Sequence, residues 1–293
     1  MTSSCSPLPE RDQPSTGELE LTVARRGGAS HARHQFHQGA LRVLRPIHLD
    51  GSGQVCYTVV NPGGAFLGAD HYRMDITVEE KASLLLTTQS ATKVYRTPQG
   101  PATQDVRLVL GPGAVLENIP DQLIIYRDGS YRQTTRVIVH PGASLVSNEV
   151  ITPGWSPDGE RFRYRELRLR TEVRVGDAHA SRIFAVDQLR LEPGVDALDG
   201  VGQLEGHSHI GQLLVVDRRV DTELVDVVSG LCVQSGLRAG VSSIGITTED
   251  GVRGLVVRSL GHRTEDVVHL HENVTNHVRH LWRGQGPLAL RKY

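Results

Sequence analysis

From about residue 55 to residue 216 the chain repeats one pattern: short runs of β-branched and other apolar residues, broken by Gly, Pro and Asp. The runs at 55–60, 73–78, 83–88, 106–110, 136–139, 167–175 and 213–216 all follow it. In 167–175, Leu167, Leu169, Thr171, Val173 and Val175 alternate with Arg168, Arg170, Glu172 and Arg174. Successive side chains of a strand point to opposite faces, so this run predicts a half-buried strand with a charged, solvated outer face. The turn residues between runs complete the signature of an all-β fold. No helical period is legible before about residue 262.

A faint internal repeat adds an architecture. Segments 75–89 (DITVEEKASLLLTTQ), 106–122 (VRLVLGPGAVLENIPDQ) and 135–149 (TRVIVHPGASLVSNE) each read as strand, tight turn, small residue, then a second strand with a polar end. Their turn alanines, Ala82, Ala114 and Ala143, lie 32 and 29 residues apart. Repeats of roughly 20–50 residues mark stacked units, each burying its neighbour's apolar edge. The pattern predicts a helicoidal, solenoid-like stack of strands, with unrelated hairpins in a sandwich as the alternative.

Towards the end the period changes. Val267, Leu270, Val274, Val278 and Leu281 recur at three- and four-residue steps, which predicts an amphipathic helix from about Glu265 to Arg283. Thr264 is placed to cap it, Glu265 and Asp266 set negative charge at its start, and Gly284 ends it. The expected organisation is a mobile tail at 1–17, a β-helicoid body at 18–263 and a C-terminal helix with its tail at 264–293. Other helices are expected to be few and short.

Composition narrows the function classes. The 293 residues carry 32 basic and 33 acidic side chains, a net charge of −1. That balance removes the electrostatic case for nucleic-acid or anionic-membrane binding. No run approaches the roughly 18 apolar residues of a membrane span, and the start lacks the charged and apolar regions of a secretory signal. Three cysteines (Cys5, Cys56 and Cys232) without CxxC spacing fit a reducing cytoplasm better than a disulfide framework.

Candidate chemistry is sparse. Among the fourteen histidines, HARHQFH at 31–37, His207 with His209 on one strand face, and His277 with His280 on one helix face are the clusters with metal-ligand spacing. None has a nearby acidic or cysteine partner at ligand spacing, so His207 and His209 remain weak metal candidates. No GxSxG, phosphate loop or HExxH motif is present. The densest unusual segment runs from Asn61 to Arg96. There an Asn-Pro-Gly-Gly turn is followed by Asp70, and apolar Leu84-Leu85-Leu86 gives way to the polar stretch 87–95, containing Gln89, Thr92 and Lys93. A hydroxyl ladder on a solvated sheet face, with Lys93 protecting an edge, accounts for that stretch equally well.

The segments NPGGAFLGADHYRMD and LLLTTQSATKVYRTP resemble the paired signature of the UreD/UreH family of urease accessory proteins. GAVLENIPDQLIIYRDG, PGASLVSNEV and the terminal VVRSLGHRTEDVVHLHENVTNHVRHLWR with LRKY resemble its further blocks, in family order from about Gly39 to Tyr293. Ala65 and Ala69 stand where the family often has glycines. The resemblance implies a cytoplasmic, non-enzymatic helicoid of β-strands that binds UreF, reaches UreG through UreF, and docks apo-urease. It implies no tightly bound cofactor, with nickel in transit through an internal water-filled tunnel. A cation crossing a protein needs oxygen ligands that replace part of its hydration without trapping it. Asp70, Gln89, Thr92, Lys93, Glu117 and Glu149 are thus the tunnel or partner-proximal candidates; Lys93 is odd for a cation path, and an ion pair with Asp70 that gates or neutralises the wall is one way to account for it. A purely structural adaptor without a metal route, and a metal-dependent enzyme using His207 and His209, are the competing readings.

Overall fold

The structure, a computed structural model, describes residues 15–177, 179–245 and 251–290. The expected N-terminal tail before residue 15 and the last three residues of the expected C-terminal tail lie outside that description. In chain order the strands are β1 (Gly17–Arg26), β2 (Ala29–Gly39), β3 (Arg42–Val43), β4 (Val55–Val60), β5 (His71–Val78), β6 (Ser83–Thr88), β7 (Thr92–Val94), β8 (Ala102–Leu110) and β9 (Val115–Ile119). They continue as β10 (Leu123–Ile125), β11 (Ser130–Val139), β12 (Ser144–Ile151), β13 (Glu166–Gly176), β14 (Ser181–Leu191), β15 (His209–Val216), β16 (Arg238–Ile244) and β17 (Gly254–Gly261). The helices are α1 (Thr222–Gln234) and α2 (Thr264–Arg283).

Alternation dictates the layers. In β5, Tyr72, Met74, Ile76 and Val78 are buried while His71, Arg73, Asp75 and Thr77 are only half-buried. The chain coils: β5, β8, β11 and β13 stack in parallel on one sheet, while β6, β9 and β12 stack in parallel on the other. The first sheet has the order β14-β13-β11-β8-β5-β1-β2, and the second β16-β17-β15-β12-β9-β6-β4-β3. Short strands β7 and β10 form a third side, where Tyr95 meets Tyr126 edge-on at 4.7 Å and Trp155 lies tilted against Tyr126 at 4.8 Å. The solenoid reading is therefore right, and the repeat is its coil. Ala82, Ala114 and Ala143 are buried at successive turns, with Val115 N–H donating to Ala82 O at 2.9 Å and Ser144 N–H to Ala114 O at 2.8 Å. A small side chain is required where coil sits on coil.

Helices cover the outer face of the second sheet. Helix α2 buries Val267, Leu270, Val274 and Val278 to 1% exposure or less against Leu85, Val146, Leu213, Val215 and Val257. At about 1.5–3 kcal/mol per fully buried aliphatic, this stripe contributes roughly 6–12 kcal/mol before conformational entropy is charged. Two expectations need correction. Thr264 is the first helical residue rather than the cap, Arg263 is the extended N-cap without a side-chain hydrogen bond, and Leu281 is exposed. Helix α1 is one of the few other short helices expected, at a position the sequence pattern did not reveal. Asp221 caps it by accepting from Leu224 N–H at 2.9 Å, and it buries Leu224, Val228 and Cys232 at four-residue spacing. As expected, Gly284 ends α2 in the left-handed region at φ 62°.

Candidate functional site

The interior between the sheets is largely apolar, with a series of polar side chains along its axis. The register aligns Met74, Val106, Thr135, Thr171 and Asp187 across β5, β8, β11, β13 and β14, a row running along the solenoid axis. The second sheet aligns Glu149, Gln212 and Arg258 across β12, β15 and β17. Between them lies a cavity of about 110 Å³, whose wall includes Thr88, Thr92, Gln104, Asp121, Gln133, Thr135, Glu149 and Thr171. A second cavity, about 80 Å³, adjoins it through Thr88, Thr92 and Gln104 and reaches Asn61, Gln89 and Lys93. In the other direction Thr171 is shared with a cavity of about 480 Å³ lined by Asp187, Gln212 and Arg258. Hydroxyls, amides and carboxylates thus succeed one another through three adjoining spaces.

Neighbouring coils hold these polar groups in place. Tyr131, fully buried, donates from its hydroxyl to Gln104 Oε1 at 2.6 Å and lies 2.9 Å from Gln133 Oε1. Gln133 Nε2 donates to Glu149 Oε1 at 3.0 Å and to Thr135 Oγ1 at 3.1 Å. Burial raises the Glu149 carboxyl to about 7, the charge of Asp187 adds to this, and the Gln133 hydrogen bond opposes it. Protonated and ionised forms of this carboxyl therefore coexist near neutral pH. Arg258, largely exposed, ion-pairs with Asp187 across the far end, joining the two sheets.

The sequence candidates divide between this line and other roles. Gln89, Thr92 and Lys93 line the 80 Å³ cavity, and Glu149 stands on the wall of the central one. Asp70 is instead a loop tie: it accepts from Leu67 N–H at 2.7 Å, Tyr72 hydroxyl at 3.1 Å and Thr16 hydroxyl at 3.2 Å. An ion pair between Asp70 and Lys93, one way to account for Lys93, is not formed. Beside Asp70, Ala69 holds φ 63°, a conformation that glycine adopts without strain. Glu117 faces the other side of the second sheet, under α2, where it has no exposure and pairs with Arg279 and Arg283. Arg279 also bonds Gln54 Oε1 at 3.0 Å. Removing one partner of such a buried cluster costs about 3–5 kcal/mol, so Glu117 fastens the helix and touches none of the three cavities.

His207 and His209 do not converge on a shared ligand point. The His207 ring stacks on His262 at 4.8 Å and its Nδ1 meets Leu204 O at 2.9 Å, while His209 Nδ1 meets Ser208 Oγ at 2.9 Å. Among the described residues, no group of three or more His, Cys, Asp or Glu side chains is set to hold a metal ion. Sequence reasoning did not single out Gln104, Tyr131, Gln133, Thr135, Thr171, Asp187 and Arg258. The signal for Thr171 was present, as the one polar member of an otherwise apolar inward series.

Residues 15–292 match the family described as UreD urease accessory protein. Among curated relatives, the urease accessory protein UreD of Arthrobacter sp. (strain FB24) is 54% identical, covering 94% of each chain. UreD of Kocuria rhizophila is 52% identical over 94% of this chain and 89% of its own, and that of Bacillus cereus 32% identical over 95% and 98%. Coverage this complete, on an all-β solenoid with the family's motifs in order, leaves one assignment: the chain belongs to the UreD family of urease accessory proteins.

Proposed function

We propose that this protein serves urease maturation as a non-catalytic scaffold that conducts nickel along its axis to apo-urease. The observation that carries the reading is the succession of oxygen-bearing side chains along the three cavities, from Gln89 and Thr92 past Glu149 to Asp187. Oxygen ligands suit a hydrated divalent cation in transit, and the absence of thiolates from the cavity walls keeps binding weak enough for release. Glu149 offers a charge that a cation can claim by displacing a proton. Among the described residues no helix is long and apolar enough to cross a membrane. In this proposal the chain works in the cytoplasm beside UreF, with UreG joined through UreF. A structural adaptor would have no use for polar residues buried at the centre of its core, where each needs a partner. The test is reconstitution: UreF, UreG and apo-urease are incubated with nickel, with and without this chain. Activation that requires the chain supports the reading, and full activation without it refutes it.

A further inference from the structure

The third side of the solenoid carries a ladder of large apolar side chains, one from each coil. Phe66 pairs with Val94 in parallel register, and so does Ile125 from the other side. Carried one residue on, these registers set Leu67 beside Tyr95 and Tyr95 beside Tyr126, and Tyr126 itself pairs with Trp155. Backbone bonds fix the rungs: Tyr95 N–H donates to Phe66 O at 2.9 Å, Tyr126 N–H to Val94 O at 2.8 Å and Trp155 N–H to Ile125 O at 3.0 Å. Gly154 holds φ 84°, and a Cβ there would come within 2.3 Å of Ile125 O, so the turn that presents Trp155 requires glycine.

The ladder faces solvent. Leu67 is 53% exposed, Tyr95 40% and Trp155 50%. Since an aromatic side chain carries about 150–250 Å², half-exposed rungs leave roughly 300–400 Å² of apolar surface in one strip. A strip of that size marks an interaction site. Stacking between coils accounts for the inner edges of the rings and leaves the outer edges uncovered. Beside the ladder, the register sets exposed Arg96 next to exposed Arg127. Arg127 pairs with Asp158, whereas the Arg96 guanidinium has no partner among the described residues. Trp, Tyr and Arg are the residue types that dominate binding at protein interfaces.

The spacing selects the occupant. Successive rungs lie 4.7 and 4.8 Å apart, and one turn of an α-helix rises about 5.4 Å. A helix laid along the ladder drops one side chain per turn into each gap between rungs, at i, i+4 and i+7. An extended strand repeats about every 6.8 Å on one face and falls out of step within two rungs. We propose that Leu67, Tyr95, Tyr126 and Trp155 form the docking site for one amphipathic helix of a protein partner, its apolar face on the ladder and its acidic flank against Arg96 and Arg127. The proposal rests on the maturation reading, which supplies the partners, and it holds whether or not nickel passes through the interior.

The test places the photo-reactive residue p-benzoylphenylalanine at position 67, 95 or 155 of the full chain, assembles the chain with purified UreF and apo-urease, and irradiates. The expected cross-links from the three positions fall in one helix of one partner, three or four residues apart and in ladder order. Arg96→Glu, an exposed position outside the stack, is expected to weaken retention of that partner about tenfold. Cross-links two residues apart, the mark of an extended segment, overturn the proposal. So do an assembled complex without cross-links at these positions and a retention indifferent to Arg96→Glu. A chain that assembles with neither partner overturns the proposal together with the maturation reading, so the two failures are distinguishable.

Discussion

Glu149→Gln tests the electrostatics of the interior without any partner protein. The residue is half-buried on the cavity wall, and desolvation displaces its ionisation from 4.5 to about 7. At about 1.4 kcal/mol per pH unit, the ionised form costs the fold roughly 3 kcal/mol. The sign follows from proton counting: below pH 4.5 the group is protonated folded and unfolded, and between 4.5 and about 7 only the folded state keeps the proton. Stability associated with this residue is therefore complete in acid and lost as pH rises through about 7. Glutamine retains the oxygen that accepts from Gln133 and has no charge to desolvate. Urea denaturation of both proteins at about pH 5 and about pH 8 should show the variant's advantage growing by roughly 3 kcal/mol towards the alkaline side. An advantage equal at both values would refute the claim that the fold raises the ionisation of Glu149.

Related expectations follow from the same contacts. Asp187→Asn should bring the Glu149 titration, followed by carboxyl NMR, to lower pH, because the charge of Asp187 helps hold it up. Glu117→Gln should destabilise the protein by about 3–5 kcal/mol in thermal or urea unfolding, since Arg279 and Arg283 lose the carboxylate they share under α2. Ala69→Gly should stabilise by about 1 kcal/mol in the same measurements, by relieving a left-handed alanine.

The fold was readable from the sequence because its signal is local. Strand β13 shows it: the inward Leu167, Leu169, Val173 and Val175 and the outward arginines follow directly from period two. The coil was readable because Ala82, Ala114 and Ala143 must be small where turns stack. Helix α1 was hidden because Val225, Val227 and Val228 favour strands, and Ser229-Gly230 looks like a turn; burial of Leu224, Val228 and Cys232 on the sheet overrides that propensity. The site was legible only in part. Glu117 and Glu149 occupy the same polar strand end in their repeats, yet the register sets Glu117 opposite Val146, an odd number of residues from Glu149. An odd offset flips a side chain to the other face, and this sends one carboxylate to the helix and the other to the cavity. Asp187 and Arg258 meet across 71 residues of chain, a contact that no local pattern encodes.

The central claim is that nickel moves along the axial oxygen line, and the variant Thr135→Val/Thr171→Val/Glu149→Gln addresses it most directly. It removes two hydroxyls and a charge from the wall of the central cavity with little change in side-chain shape. The measurement is nickel-dependent urease activation by the complex assembled with this variant, alongside the amount of UreF, UreG and urease that co-purify. The prediction is unchanged assembly with activation reduced at least about tenfold, as expected when a desolvated cation loses its ligands along the path. Normal activation by a fully assembled complex would contradict it.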